Sequence, residues 1–135
     1  MNRLICILGL VLCLGFVGCK KEKPVTPQEQ IAGRAAVQYY GYLQHHDFAS
    51  FVDGVYYGKP IPKDYRALLE KNAEIFVHEQ DSLRRGIKKV KLSKADLMKN
   101  DSTLAAVYLL LSYGDSTTEE VLVPMIKRKD VWYMK

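Results

Sequence analysis

Leu104-Ala105-Ala106-Val107-Tyr108-Leu109-Leu110-Leu111-Ser112-Tyr113 is the stretch on which the reading of the fold turns. Its apolar residues fall on both parities, and it is bounded by Lys99-Asn100-Asp101-Ser102 on one side and Gly114-Asp115-Ser116-Thr117 on the other, both rich in turn-forming residues. A short apolar run between two turn signals predicts a central strand covered on both faces. Upstream, Val90 and Leu92 alternate with Lys89, Lys91 and Ser93, and Ala95 and Leu97 resume on the opposite parity. One extra residue near Ser93-Lys94 explains the switch, so a first strand with a β-bulge is expected there. Downstream, Val121 to Ile126 predicts a third strand in which Pro124 requires an edge or bulge position. The polar turn Lys127-Arg128-Lys129-Asp130 then leads into a last strand, Val131-Trp132-Tyr133-Met134. Connections this short join antiparallel neighbours, so the four strands form a meander.

The residues before Gly86 carry the helical period instead. Thr26-Pro27-Gln28-Glu29 combines a cap, a proline suited to the first helical position and an acid able to reach back as a capping box. Ile31, Ala35, Tyr39 and Tyr42, with Ala32, Ala36, Tyr40 and Leu43 beside them, then make a broad apolar stripe. Asp47 opens a second, shorter helix carrying Phe48, Phe51, Val52 and Val55, which Gly58-Lys59-Pro60 breaks. A third helix from about Pro62 places Tyr65, Leu68, Leu69, Phe76 and Leu83 on one face and closes at Arg84-Arg85-Gly86. Three helices before four hairpin-linked strands predict an α+β domain, the sheet curled around the helices that cover its one buried face.

The amino-terminal residues have another character. Arg3 precedes an uncharged run from Leu4 to Val17, which falls short of the roughly 20 apolar residues a membrane-spanning helix needs. This is the layout of a secretory signal peptide. Phe16-Val17-Gly18-Cys19 resembles the bacterial lipobox, with Phe16 standing where Leu is usual. That resemblance implies cleavage before Cys19 and a diacylglycerol on the Cys19 thiol. The chain thus divides into a signal peptide over 1–18, a lipidated Cys19 and tether over 19–26, and a folded domain over 27–135. A tether of this length reaches about 25 Å at no more than about 3.6 Å per residue, holding the domain near the bilayer.

The three cysteines then leave no disulfide, because Cys6 and Cys13 lie in the removed segment and Cys19 carries lipid. The formal net charge of +5 becomes +4 without Arg3. An exported chain of this mild basicity meets anionic headgroups and acidic glycans, and nucleic acid is set aside as a partner. Lys20-Lys21-Glu22-Lys23 lacks an acidic surface-export cluster, so the periplasmic face of the outer membrane is the expected location.

Beyond the lipobox, the helix ending in His46-Asp47-Phe48, the strand Thr103-Leu104-Ala105-Ala106-Val107, the hairpin from Tyr113 to Glu120 and the terminal Val131-Trp132-Tyr133 resemble the nuclear transport factor 2-like (cystatin-like) superfamily. Within it they resemble small bacterial lipoproteins of unknown function. The resemblance implies a cone: N-terminal helices packed in the concave face of a curled four-stranded antiparallel sheet, often with a pocket. It does not choose a function, since that fold serves isomerases, cyclases, dehydratases, ligand binders and scaffolds.

Candidate chemistry is sparse. His45-His46-Asp47 could do acid–base work or bind metal, but adjacent helical residues point about 100° apart and His78 stands on another helix, so a capped helix end is the preferred reading. Asp53 with Tyr56 or Tyr57 is the nearest equivalent of a superfamily base and its partner, without a matching motif. Tyr39, Tyr42, Tyr56 and Tyr57 are candidate ligand-lining residues, their rings offering apolar bodies with polar tips. Arg84, Arg85, Lys88, Lys89, Lys91 and Lys94 form the densest basic run, most of it on a solvated sheet face that could also touch anionic lipid. No metal, cofactor or catalytic residue is assigned. The sequence therefore favours a non-enzymatic binding or interaction module of the envelope, meeting an envelope protein or an apolar small ligand, over an isomerase- or cyclase-like enzyme using the cone.

Overall fold

The computed structural model describes residues 26–135; the expected signal peptide, Cys19 and all but the last residue of the expected tether lie outside the described residues. The elements follow in the order α1 (Pro27–Gln44), α2 (Phe48–Asp53), α3 (Lys63–Arg84), β1 (Ile87–Met98), β2 (Asp101–Tyr113), β3 (Thr118–Arg128) and β4 (Val131–Met134). The strands form one antiparallel sheet in the order β1-β2-β3-β4. This is the α+β meander that the alternation of turns and apolar runs requires.

α1 begins as its sequence dictates. The Glu29 amide donates to Thr26 Oγ1 at 3.3 Å, and the Thr26 amide donates to Glu29 Oε2 at 2.9 Å, closing the capping box. The other Glu29 oxygen accepts from the Leu97 amide at 3.3 Å. A helix cap thereby becomes a clamp on β1, and the Glu29 side chain is buried with it. Further along, Ala32 and Ala36 are fully buried and let α1 approach the sheet closely. α1 touches all four strands, as a helix in the concavity of a curled sheet must.

Within the sheet, Val90 pairs with Leu111, Leu92 with Leu109, Ala95 with Val107 and Leu97 with Ala105. The register shifts between Leu92 and Lys94, so Ser93 is the bulged residue and both halves of β1 keep their apolar side chains inward. The expectation for β2 needs correcting. Ala105, Val107, Leu109, Leu111 and Tyr113 are buried, but Leu104, Ala106, Tyr108, Leu110 and Ser112 are only half-buried, because no element among the described residues lies over the outer face of the sheet. Their partial cover comes from within the sheet, where Lys91 and Lys94 stand opposite Leu110 and Tyr108 and long lysine stems can shade apolar neighbours.

Pro124 sits where β3 passes from edge to interior. β4 pairs only with Met125 to Arg128, and the Pro124 carbonyl accepts from the Lys135 amide at 2.9 Å just past the end of that pairing. Since the N and C=O of a strand residue point the same way, the missing N–H of Pro124 faces away from β2, on the side where the β3–β4 pairing has ended, and no ladder bond is lost. Lys129 and Asp130 both take positive φ, at 49° and 62°, the tight hairpin conformation that matches strand twist.

The core follows from these placements. Leu109, Val107, Met125, Val123, Trp132 and Met134 pack with Ala32 and Ala36, and Trp132 is only 2% exposed. α3 lies outside this core. It packs mainly on α2, with small contacts to α1 and β1, and buries only Ala73 and Val77. Of the expected stripe on that helix, Tyr65, Leu68, Phe76 and Leu83 remain exposed and Leu69 half-buried.

Candidate functional site

The position of α3 opens a groove. α2 is tied to the end of β4 by hydrogen bonds from the Tyr56 amide to the Met134 carbonyl at 2.8 Å and from the Met134 amide to the Gly54 carbonyl at 2.7 Å. The chain then turns through Gly58, whose φ of 75° suits a residue without a Cβ, and runs back as α3. Between the helices lies a cavity of about 500 Å³. Tyr40, Leu43, Phe51, Val52, Val55 and Tyr57 form one wall; Tyr65, Leu69, Asn72, Ala73 and Phe76 form the other. Its size falls within the range of small-molecule pockets, about 300–1,000 Å³.

The lining is aliphatic and aromatic, with the Asn72 amide and three phenol hydroxyls as its side-chain polar groups. Tyr40 stacks edge-on against Phe51 at 5.9 Å, and burial, with the Glu119 charge adding to it, holds its phenol above the ordinary range. The Tyr57 hydroxyl donates to the Val52 carbonyl at 3.3 Å, and its phenol is likewise pushed up, chiefly by burial. Both are therefore neutral near pH 7, and no acidic or basic side chain lines the groove. Such a wall can enclose an apolar or aromatic body and offer it hydroxyl and amide hydrogen bonds. It holds no group able to take a proton near neutral pH.

Of the four tyrosines singled out in the sequence, only Tyr57 lines this groove. Tyr39 points to the sheet side of α1, where its hydroxyl donates to the Trp132 carbonyl at 2.6 Å. Tyr42 lies beside it, ring centroids 6.5 Å apart, and accepts from the Gln38 side-chain amide at 2.9 Å. Tyr56 packs against Tyr133 and under the Arg128 guanidinium, and joins Tyr57 in lining a second recess of about 400 Å³ with Lys59 and Lys129. Tyr40 is the residue the sequence placed in the stripe without assigning it to a pocket. Its spacing to Leu43 on the same face was the available signal, but the choice between Tyr39 and Tyr40 rests on where α3 lies.

The ionisable candidates are drawn apart. His45 caps α1, while His46, with φ of 60°, stacks on Phe48 and sits 3.7 Å from Asp81. Asp47 accepts from the Ser50 amide at 3.2 Å as the cap of α2, and hydrogen bonding from the Ser50 side chain, then from its amide, keeps the carboxyl below the usual range. Asp53 pairs with Arg66 at 2.5 Å on the surface. Among the described residues no three His, Cys, Asp or Glu side chains gather as metal ligands would.

One cluster had no local sequence signal. Glu119 Oε2 accepts from the Tyr113 hydroxyl at 2.8 Å and from Arg84 Nη1 at 3.1 Å, while the Arg84 guanidinium lies 4.7 Å from the centre of the Tyr113 ring. Burial, then the bond to Glu119, pushes the Tyr113 phenol up to about 12. Here a carboxylate is already held by a cation and a phenol, so the cluster fastens the end of α3 to the β2–β3 hairpin. Backbone bonds from Gly114 to Gly86 and from Asp115 to Arg84 make the same junction.

No protein-family model matches the chain, and no curated protein matches it significantly. Among solved structures it is similar to the crystal structure of a Campylobacter jejuni protein for which an NTF2-like transpeptidase role has been proposed. The TM-score is 0.61 at 11% identity, over 75% of this chain and 94% of that one. At that identity the likeness bears on architecture alone, and together with the helices, meander and curled sheet described above it identifies the fold of this chain as nuclear transport factor 2-like.

Proposed function

We propose that this chain is a membrane-anchored binding module of the bacterial envelope, whose groove between α1, α2 and α3 receives an apolar or aromatic body. The observation that carries this is the groove itself: open, about 500 Å³, walled by aromatic and aliphatic side chains and lined by no charged group. Anchoring rests on the sequence, where Phe16-Val17-Gly18-Cys19 closes an uncharged apolar run. Lipid on Cys19 and a tether of about 25 Å would keep the groove beside the bilayer, on the periplasmic face of the outer membrane. In that setting the occupant is an apolar small molecule or the apolar side chains of an envelope protein, with no nucleic acid and no cofactor.

Binding is favoured over catalysis by the same wall, since catalysis normally places groups of matched pKa against the substrate. The transpeptidase role proposed for the Campylobacter jejuni protein belongs to that protein, and 11% identity does not carry it to this chain. The Arg84–Glu119–Tyr113 cluster is the observation that would support an isomerase- or cyclase-like alternative, with Glu119 as the base. Turnover abolished by Glu119→Gln with the fold intact would establish that alternative.

Native mass spectrometry of the chain purified from envelopes tests the binding reading. An adduct lost on Tyr57→Ala/Tyr65→Ala is the expected result, and an adduct that persists unchanged places the ligand elsewhere. For the anchor, Cys19→Ser should leave an uncleaved, unlipidated precursor, and the wild-type chain should partition into the detergent phase; a mature wild-type product with another amino terminus, found in the soluble fraction, would refute lipidation.

A further inference from the structure

Of the five large apolar residues that α3 leaves exposed, Tyr65 lines the groove and the other four are spaced alike in both directions along the helix. Leu68 is 54% exposed, Ile75 47%, Phe76 38% and Leu83 76%. With the exposed Asn72 and Glu79 between them, they follow the three- and four-residue spacing that gathers side chains into one stripe. Laid against a reversed copy of itself, the stripe sets Leu68 opposite Leu83, Asn72 opposite Glu79 and Ile75 opposite Phe76. A helix with this property is complementary to an antiparallel second copy about a two-fold axis, the isologous geometry of cyclic dimers.

The polar layer agrees in chemistry as well as in position. The Asn72 amide can donate to the Glu79 carboxylate of the second copy, and symmetry makes that bond twice. Lys71, next to Asn72, brings a cation to the level of that carboxylate. The border of the stripe carries Lys71 and Glu74, paired at 3.3 Å, and His78. The carboxylates of Glu74 and Glu79 repel an anionic bilayer, whereas a surface of mixed sign fits a partner carrying the same residues in reverse order.

We infer that this chain self-associates through α3, paired antiparallel with α3 of a second copy. Asn72 and Phe76 belong to both the groove wall and this seam, so the second copy would border the groove. The pairing rests on the exposed stripe and stands whether or not the groove takes a ligand. A seam of one helix pair is smaller than the interfaces of about 1,200–2,000 Å² in stable complexes, so association depends on concentration.

Disulfide trapping in membranes of cells making the full chain tests the seam. Within one helix Leu68 and Leu83 stand about 22 Å apart at 1.5 Å per residue, far beyond the Cα separation of about 7 Å that a disulfide tolerates. A Leu68→Cys/Leu83→Cys chain can therefore bridge these positions only between copies. On oxidation with copper phenanthroline it should give a covalent dimer well above the level set by the wild-type chain and its own three cysteines. Each single variant should stay at wild-type level, because like residues also stand about 22 Å apart in the antiparallel pair. Adding Ile75→Asp should remove the dimer without lowering the melting temperature, and apolar ligand binding should persist, since Ile75, Leu68 and Leu83 do not line the groove. Dimer formed equally by Leu68→Cys alone would mean a parallel or random encounter, and no dimer from the double variant would mean that something else covers α3; either overturns the inference.

Discussion

α1 and α3 are both long amphipathic helices, yet the fold uses them in opposite ways. α1 hides Ala32, Ala36 and Leu43 and touches every strand; α3, four residues longer, hides only Ala73 and Val77. Small residues explain the first, because two alanines let α1 settle deep in the sheet. The second follows from its wide apolar arc, running from Ile75 through Leu68 to Phe76 and Leu83, more of which faces outward than inward. An exposed apolar face on a small domain marks a surface kept for contact. On the proposed reading, stability rests chiefly on the sheet side of α1 and contact on the outward face of α3, and mutations should separate the two.

The largest expected effect is on the α1 side. Trp132→Ala removes the bulkiest fully buried side chain and should cost about 3–5 kcal/mol in denaturant unfolding, against a typical total of about 5–15 kcal/mol. Leu83→Ala on α3 should stay within about 0.5 kcal/mol of wild type, as a surface change does. Equal costs at the two sites would erase the division. A smaller loss is expected at the clamp between α1 and β1. Glu29→Ala leaves the Thr26 and Leu97 amides without their side-chain acceptor and should cost about 1–3 kcal/mol, while Glu29→Gln should recover part of it.

An alkaline titration sharpens the comparison further, because Tyr113 joins α3 to the sheet. Its phenol titrates near 10 when unfolded and near 12 when folded, so between those values the folded chain holds the extra proton. Stability from this group is complete below about pH 10 and is lost as pH rises toward about 12. Tyr113→Phe should flatten part of that decline in a pH series of melting temperatures. Tyr39, Tyr40 and Tyr57, shifted the same way, supply the remainder.

Local chemistry made much of this architecture readable. Thr26-Pro27-Gln28-Glu29 places the start of α1 because capping acts within one turn, and the parity switch at Ser93 places the bulge because a strand has a period of two. Long-range geometry was not readable in that way. Arg84, Tyr113 and Glu119 come from a helix and two strands, and nothing in their spacing announces that they meet. Leu104 to Tyr113 reads as doubly covered, yet among the described residues only one face is, because the apolar residues on the outer parity are shaded only by cross-strand neighbours of the sheet such as Lys91, Lys94 and Leu122. Which tyrosine faces the groove was equally hidden: Tyr39 and Tyr40 lie about 100° apart on one helix, and the path of α3 decides between them.

The most direct measurement is fluorescence titration of the domain, residues 26–135, with the apolar aromatic probe N-phenyl-1-naphthylamine. A groove of this lining predicts saturable binding at one site, weakened roughly tenfold, or about 1.4 kcal/mol, by Tyr57→Ala/Tyr65→Ala and untouched by Leu122→Ser on the outer face of the sheet. Probe binding that fails to saturate, or that Leu122→Ser weakens while Tyr57→Ala/Tyr65→Ala leaves it intact, would contradict a binding site between the helices.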